Sequence, residues 1–267
     1  MTKNRIQILK EKMLSQPRYV SIEQALIITK TYKQHENEPI ILKRAYALAN
    51  ALRELEIGIE NEELIVGNRT KGVRYGVVFP ESGISWVDRE FETISTRKQD
   101  KFLVRDEDIK IFREQIVPYW KGKSLEDVIK QNFGKEISAI NKVVKINQTD
   151  HAQGHICPNV EKWLQKGVSG LLEDAQNHYK NADEDKKNFY QAIIIVMKAV
   201  QNFMLRYHDL LIATAKDDEK NRASLIKVAD ICKNISQRPP QTFHEAVQAT
   251  WFLFVILHME SNASSFS

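Results

Sequence analysis

The sequence predicts a mainly α-helical chain with a few short strands. Apolar residues recur at helical spacing behind capping patterns along most of its length, and short apolar runs broken by glycines are confined to residues 64–80. No glycine follows Gly170, and helices account for nearly everything from about residue 160 to residue 237.

Residues 1–12 carry charges at almost every turn and contain no apolar run, which excludes a secretory leader there. Ser21-Ile22-Glu23-Gln24 has the capping-box pattern, with Val20 placed as a staple, and predicts a helix to about residue 34. Pro39 suits the first turn of a second helix with Ile41, Ala45, Leu48, Leu52 and Leu55 on one stripe, predicted to pack antiparallel to the first. Residues 64–66 and 77–79 read as extended pieces between glycine turns. Helical spacing returns at 87–94 and at 106–116, where acids crowd the first turn and Pro118 is expected to follow the end. Residues 120–124 open a short helix, and a strand at 142–146 leads into a polar loop at 146–158. Helices are expected at 160–180, 183–215 and 216–235, with residues 180–187 a solvated charged face.

Thr242-Phe243-His244-Glu245 is another capping box, and it starts a helix that is apolar nearly all round from Trp251 to Met259 except at His258. Such a helix needs walls on every side. The expectation is that a missing half supplies them, making these residues the N-terminal part of a larger protein, with poor solubility or self-association when alone.

The formal charge is only +4 and comes from a thin excess of Lys and Arg, so neither nucleic acid nor a membrane surface is indicated as a partner. The longest apolar run, 251–257, is far shorter than the roughly 20 residues of a membrane-spanning helix. Cys157 and Cys232 lie far apart without C-x-x-C spacing, so neither a disulfide scaffold nor a zinc site is suggested, and a cytoplasmic location follows. Cys157 is expected to be a buried or half-buried inert thiol, and Trp86, Trp120, Trp163 and Trp251 to be core anchors. His151 and His155 stand four apart near Asp150 and Cys157, but Gly154 and Pro158 oppose the helix that would converge them on a metal, and no metal is assigned. Asp150 reads as a turn-stabilising or solvent-facing acid.

Glu38-Pro39-Ile40, Glu63-Leu64-Ile65-Val66-Gly67, Phe79-Pro80-Glu81, Pro118-Tyr119-Trp120-Lys121-Gly122-Lys123, Gly154-His155 and Glu260-Ser261-Asn262 resemble, in order, successive motifs of the glycyl radical enzymes. The similarity runs over essentially the whole chain and is nearest to the pyruvate formate-lyase-like branch that includes glycerol dehydratases. The resemblance implies the N-terminal portion of an α/β barrel, a partial pyruvate formate-lyase-type domain over 1–267 that stops before the catalytic cysteine loop and the radical-bearing glycine. It implies a lyase, dehydratase or formate C-acetyltransferase-like chemistry on a small polar metabolite in anaerobic metabolism. No catalytic residue is then complete here, because neither cysteine nor any glycine has the family's catalytic context. His155 and Ser265 match residues that hold substrate hydroxyls, and Asn147 aligns with an asparagine of the same pocket. The loop at 147–158 and the segment at 260–267 are accordingly expected to approach one another. Ala263-Ser264-Ser265 and Thr149-Asp150-His151-Ala152-Gln153 depart from the glycerol dehydratase pattern and leave the substrate open.

The same resemblance implies a homodimer, no cofactor bound by this chain, and a glycyl radical installed by a radical S-adenosylmethionine activating enzyme. The isolated chain is expected to be inactive. Two other readings stand beside it: a helical interaction protein or short paralogue docking on a full-length enzyme through its apolar C-terminal helix, and a small metal-dependent hydrolase using Asp150, His151 and His155.

Overall fold

A computed structural model describes residues 4–144, 155–261 and 265–266, with 155, 265 and 266 described by their backbone. The chain is mainly helical, and it divides into two compact units. The first comprises residues 1–16, 31–73 and 158–260; the second comprises 17–30, 74–157 and 261–267.

The core of the first unit is built on the long helix α9 (Glu184–Asp217), against which α3 (Ile40–Glu54), α8 (Val160–Lys180) and α10 (Arg222–Gln237) pack. The apolar stripe of α3 faces α9, so its main partner is that helix rather than the helix before it. Arg206 of α9 donates to the carbonyls of Leu52 and Leu55, satisfying acceptors that the end of α3 leaves open. Residues 181–183 separate α8 from α9, so the charged stretch at 180–187 is a junction between helices. Gly167 interrupts α8 with φ +63°, and a Cβ there would sit 2.9 Å from the backbone of Pro239. Only glycine satisfies both conditions.

The last helix, α11 (Phe243–Glu260), packs on α3, α8 and α10. Phe252, Leu253, Val255, Ile256 and Met259 are all buried within the unit, and Phe252 meets the rings of Phe203 and Tyr207 at 5.8 and 5.5 Å. The walls expected from a missing half are therefore largely supplied by the chain's own helices. Phe243, Val247 and Trp251, four apart along one side of α11, remain 86%, 36% and 39% exposed. Thr242 caps α11 by accepting from the N–H of Glu245, while the Glu245 carboxylate turns to the N–H of Gln241 and to Arg238.

A helix unforeseen in the sequence, α1 (Arg5–Ser15), begins the described chain with a full capping box between Asn4 and Gln7. Reading 1–12 for charge alone hides it.

In the second unit Tyr19 to Ser21 is the centre of a small parallel patch. Strand β1 (Val20–Ser21) pairs with β2 (Gly76–Val77), and Tyr19 bridges to Leu103 on the other side. Val20 and Ser21 are thus strand, not staple and cap, and α2 (Glu23–Gln34) starts beyond them. Helix α4 (Ser85–Glu90) is shorter than its apolar spacing suggested, and turns follow it. Pro118 does not end the next helix. Helix α5 (Asp106–Ile111) runs into a wide π-turn at Phe112–Ile116 and on through α6 (Val117–Trp120), with the N–H of Val117 bonded to the carbonyl of Phe112. The wider turn relieves the clash between the proline ring and the preceding carbonyls. It leaves Phe112 and Ile116 fully buried and brings the Trp120 ring N–H 2.8 Å from Thr29 Oγ1.

Ser124 caps α7 (Leu125–Ile140), which is far longer than the short helix expected there. Residues 141–144 form a turn, so no strand is described at the start of the 142–146 stretch. A Cβ at Gly134 would meet nothing nearer than the Lys130 side chain at 3.7 Å. Gly134→Ala is expected to stabilise the chain by about 0.5 to 1 kcal/mol, read as a shift in the denaturant midpoint with unchanged slope.

Of the four tryptophans, Trp120 and Trp163 are buried anchors with bonded ring N–H groups. Trp86 and Trp251 are 38% and 39% exposed and do not fit the expectation of core anchors.

Candidate functional site

The loop and the C-terminal segment singled out in the sequence meet in the second unit. Strand β3 (His155–Ile156) pairs in parallel with β4 (Ser265–Phe266), and the register sets His155 opposite Ser265 and Ile156 opposite Phe266. Two residues separated by most of the C-terminal half of the chain are therefore ladder neighbours, within about 5 Å in the hydrogen-bonding direction. The expected approach of the two segments is therefore present in the backbone. Asn147, Asp150 and His151 lie outside the described residues.

Cys157 follows the strand and is exposed, contrary to the buried or half-buried thiol expected. Cys232 is buried in α10, where burial pushes its thiol up to about 12 and keeps it protonated and inert. Among the described residues no group of His, Cys, Asp and Glu is arranged to hold a metal ion, and no helix is long and apolar enough to cross a membrane.

The Glu63-Leu-Ile-Val-Gly67 motif, read as a strand from its composition, has another role in the first unit. Its backbone is held by side chains of α11 instead of by a neighbouring strand. The Gln248 amide donates to the carbonyl of Val66 at 2.7 Å and accepts the Val66 N–H at 2.8 Å. His244 Nε2 lies 2.6 Å from the carbonyl of Leu64, and the Trp251 ring N–H donates to that of Gly67 at 2.9 Å. His244, Gln248 and Trp251 are spaced four and three apart, on one face of the helix. Gly67 has φ +128°, and a Cβ there would press on the rings of Phe252 and Trp251 at 3.1 and 3.3 Å, so the motif's glycine lets the segment lie against the helix. The sequence signal for this arrangement was polar residues at helical spacing within an otherwise apolar helix.

Glu63 borders a cavity of about 550 Å³ lined by Arg5, Leu9, Lys12, Glu60 and Val73 among others. Burial pushes its carboxyl up to about 7, with the nearby charge of Glu60 adding to the rise and the Glu60 N–H and Lys12 opposing it. Lys12 bridges Glu60 and Glu62 at 3.1 Å each and ties α1 to this segment. A second, more apolar cavity of about 570 Å³ lies among Leu48, Trp163, Phe189, Val196 and Leu253, beside the ion pair of Arg44 and Glu260. Neither cavity includes a residue of β3 or β4.

A family model described as pyruvate formate lyase-like matches residues 1–267. The chain belongs to that family. Within it, the sequence is 32% identical to a probable dehydratase of Escherichia coli over 93% of this chain and 32% of that protein. It is 28% identical to the (2S)-3-sulfopropanediol dehydratase of Klebsiella oxytoca, over 98% of this chain and 34% of the other. The glycerol-bound form of the B12-independent glycerol dehydratase from Clostridium butyricum superimposes with a TM-score of 0.91 at 31% identity, over 98% of this chain and 35% of that one. A glycyl radical enzyme from Archaeoglobus fulgidus gives 0.89 at 32% identity, over 97% and 34%. The chain thus spans about a third of the length of the relatives it matches.

Proposed function

We propose that this chain forms the substrate-hydroxyl-binding side of a glycyl radical dehydratase or lyase acting on a small polar metabolite. The observation that carries the reading is the register of His155 with Ser265, two family-motif residues far apart in sequence, in a chain that follows a glycyl radical enzyme at a TM-score of 0.89. In this reading Asn147 and Ser265 hold substrate hydroxyls, and the short strands belong to the first part of an α/β barrel. His155 holds one hydroxyl and moves a proton to it, because a hydroxyl leaves as water only when protonated. A glycyl radical, installed by a radical S-adenosylmethionine activating enzyme, supplies hydrogen abstraction through a cysteine thiyl. Both loops that carry that relay are assigned to the part of the relatives' length that this chain does not span. A cytoplasmic enzyme of anaerobic metabolism, homodimeric and dehydratase-like more than formate acetyltransferase-like, completes the proposal.

The test is paramagnetic resonance and turnover under anaerobic conditions with activating enzyme, S-adenosylmethionine and reductant. The chain by itself is expected to give no glycyl doublet and no product. Fused to the cysteine and glycine loops of a relative, it is expected to turn over a small diol or hydroxy acid. His155→Ala in that fusion lowers turnover roughly 100-fold or more, whereas Cys157→Ser leaves it nearly unchanged. A doublet from the chain alone, or a His155→Ala fusion of full activity, overturns the reading.

A further inference from the structure

Neither glycine nor proline stands in residues 261–267, so no local signal ends α11 before the chain runs on to Ser265. Its last turn is met by arginines from two segments distant in the chain. Arg44 of α3 pairs with the Glu260 carboxylate through Nη2 and through Nε, the latter at 3.1 Å, and its Nη2 also lies 3.4 Å from the Glu260 carbonyl. Arg69 Nη1 donates to the carbonyl of His258 at 3.4 Å. Both cations sit at the negative end of the helix dipole. The side chains of Arg44 and Glu260 are 40% and 32% exposed, and an ion pair so placed adds little to global stability. Its effect is on where the helix stops. One further helical residue would advance the chain by about 1.5 Å and turn it by about 100°.

That stopping point matters to β4. Strands β3 and β4 have two residues each, and a ladder so short does little to specify its own register. A slip by one would set Phe266 in place of Ser265 opposite His155. The exit from β3 is fixed by α8. Asn159 caps that helix by accepting from the N–H of Lys162 at 2.9 Å, and the Trp163 ring N–H donates to the Ala249 carbonyl of α11 at 2.9 Å. Ser265 follows Glu260 by five residues, so the corresponding constraint on β4 is the one that Arg44 applies.

We propose that Arg44 is a positioning residue of the candidate site, which by holding Glu260 fixes the register at which Ser265 meets His155. It acts along the chain. The proposal rests on the reading of His155 and Ser265 as site residues, but its test needs no turnover.

In a Cys157→Ser background, His155→Cys is combined with Ser265→Cys or with Phe266→Cys, and each pair is bridged with a short bifunctional thiol reagent and read by mass spectrometry. Cys232 is buried and stays silent. With Arg44 intact, the 155–265 pair is expected to bridge about tenfold faster than the 155–266 pair, because opposite positions of a ladder share a face and successive positions do not. Arg44→Met is expected to abolish that preference while the denaturant midpoint hardly moves, and Arg44→Lys, which keeps the charge, to preserve most of it. Lys43→Met removes the neighbouring cation, which donates to the Glu36 carbonyl instead, and is expected to change nothing. Glu260→Gln reads the same loss from the other partner should Arg44→Met fail to fold. A preference that survives Arg44→Met and Glu260→Gln, or one lost equally in Lys43→Met, overturns the proposal and leaves the functional reading standing. A parent chain with no preference removes the register on which both rest.

Discussion

Gln248→Leu is expected to destabilise the fold by about 2 to 6 kcal/mol, because one side chain satisfies two buried backbone groups. Leucine has nearly the volume of glutamine, so the change opens little cavity, but it leaves the N–H and the carbonyl of Val66 without their amide partner. Val66 and Gln248 are both fully buried, so water does not replace what is lost. Each orphaned group costs about 1 to 3 kcal/mol. Equilibrium denaturation measures the total, and hydrogen exchange at Val66 separates loss of this contact from general loosening. A midpoint change of less than about 1 kcal/mol, with Val66 still protected, would show that the segment is held by packing alone.

Glu63 and Glu245 are expected to give opposite responses to pH. Burial raises the Glu63 carboxyl to about 7 in the folded chain, above its ordinary value of 4.5. The folded state therefore binds the proton more tightly than the unfolded state does. Its contribution to stability is complete below about pH 4.5 and is lost as pH rises through 7. Glu63→Gln keeps an amide oxygen for the Glu60 N–H and removes the charge, so it should stabilise the chain by about 1 to 3 kcal/mol at pH 8 and change little at pH 4. Glu245 runs the other way. Burial pushes its carboxyl up, but Arg238, the Gln241 N–H and Asn234 outweigh that and hold it below its ordinary value. Its contribution is present above that ordinary value and is lost as pH falls through the depressed one. Thermal melts of wild type and Glu63→Gln across this range test the sign. A Glu63→Gln chain no more stable than wild type at pH 8 would mean that the Glu63 carboxylate is solvated.

The helical part of the fold was legible because its signals are local. Helices α3, α8, α9 and α11 follow from apolar spacing and caps, and their positions differ from the reading by a residue or two. What the sequence concealed depends on partners distant in the chain. Residues 64–66 have strand composition, but their hydrogen bonds go to Gln248 and His244, and no local pattern announces that a helix will take the place of a strand. The apolar run of α11 correctly demanded enclosure, while the identity of the enclosing helices came only with the fold. At the candidate site the motif match anticipated the approach of 155 to 265, which periodicity could not have found in two strands of two residues each.

The π-turn at 112–116 also carries a consequence for how relatives can be aligned and altered. In helical terms it is a single inserted residue, and each residue of an α-helix advances the phase by about 100°. Removing one residue from this stretch would restore a regular spiral up to Pro118, yet rotate everything after it by that angle. Trp120 would swing off Thr29, and the indole that closes the unit's interior would point elsewhere. Length in this segment is therefore fixed by rotation and not by distance, and a point substitution at Pro118 should be tolerated far better than a one-residue deletion beside it.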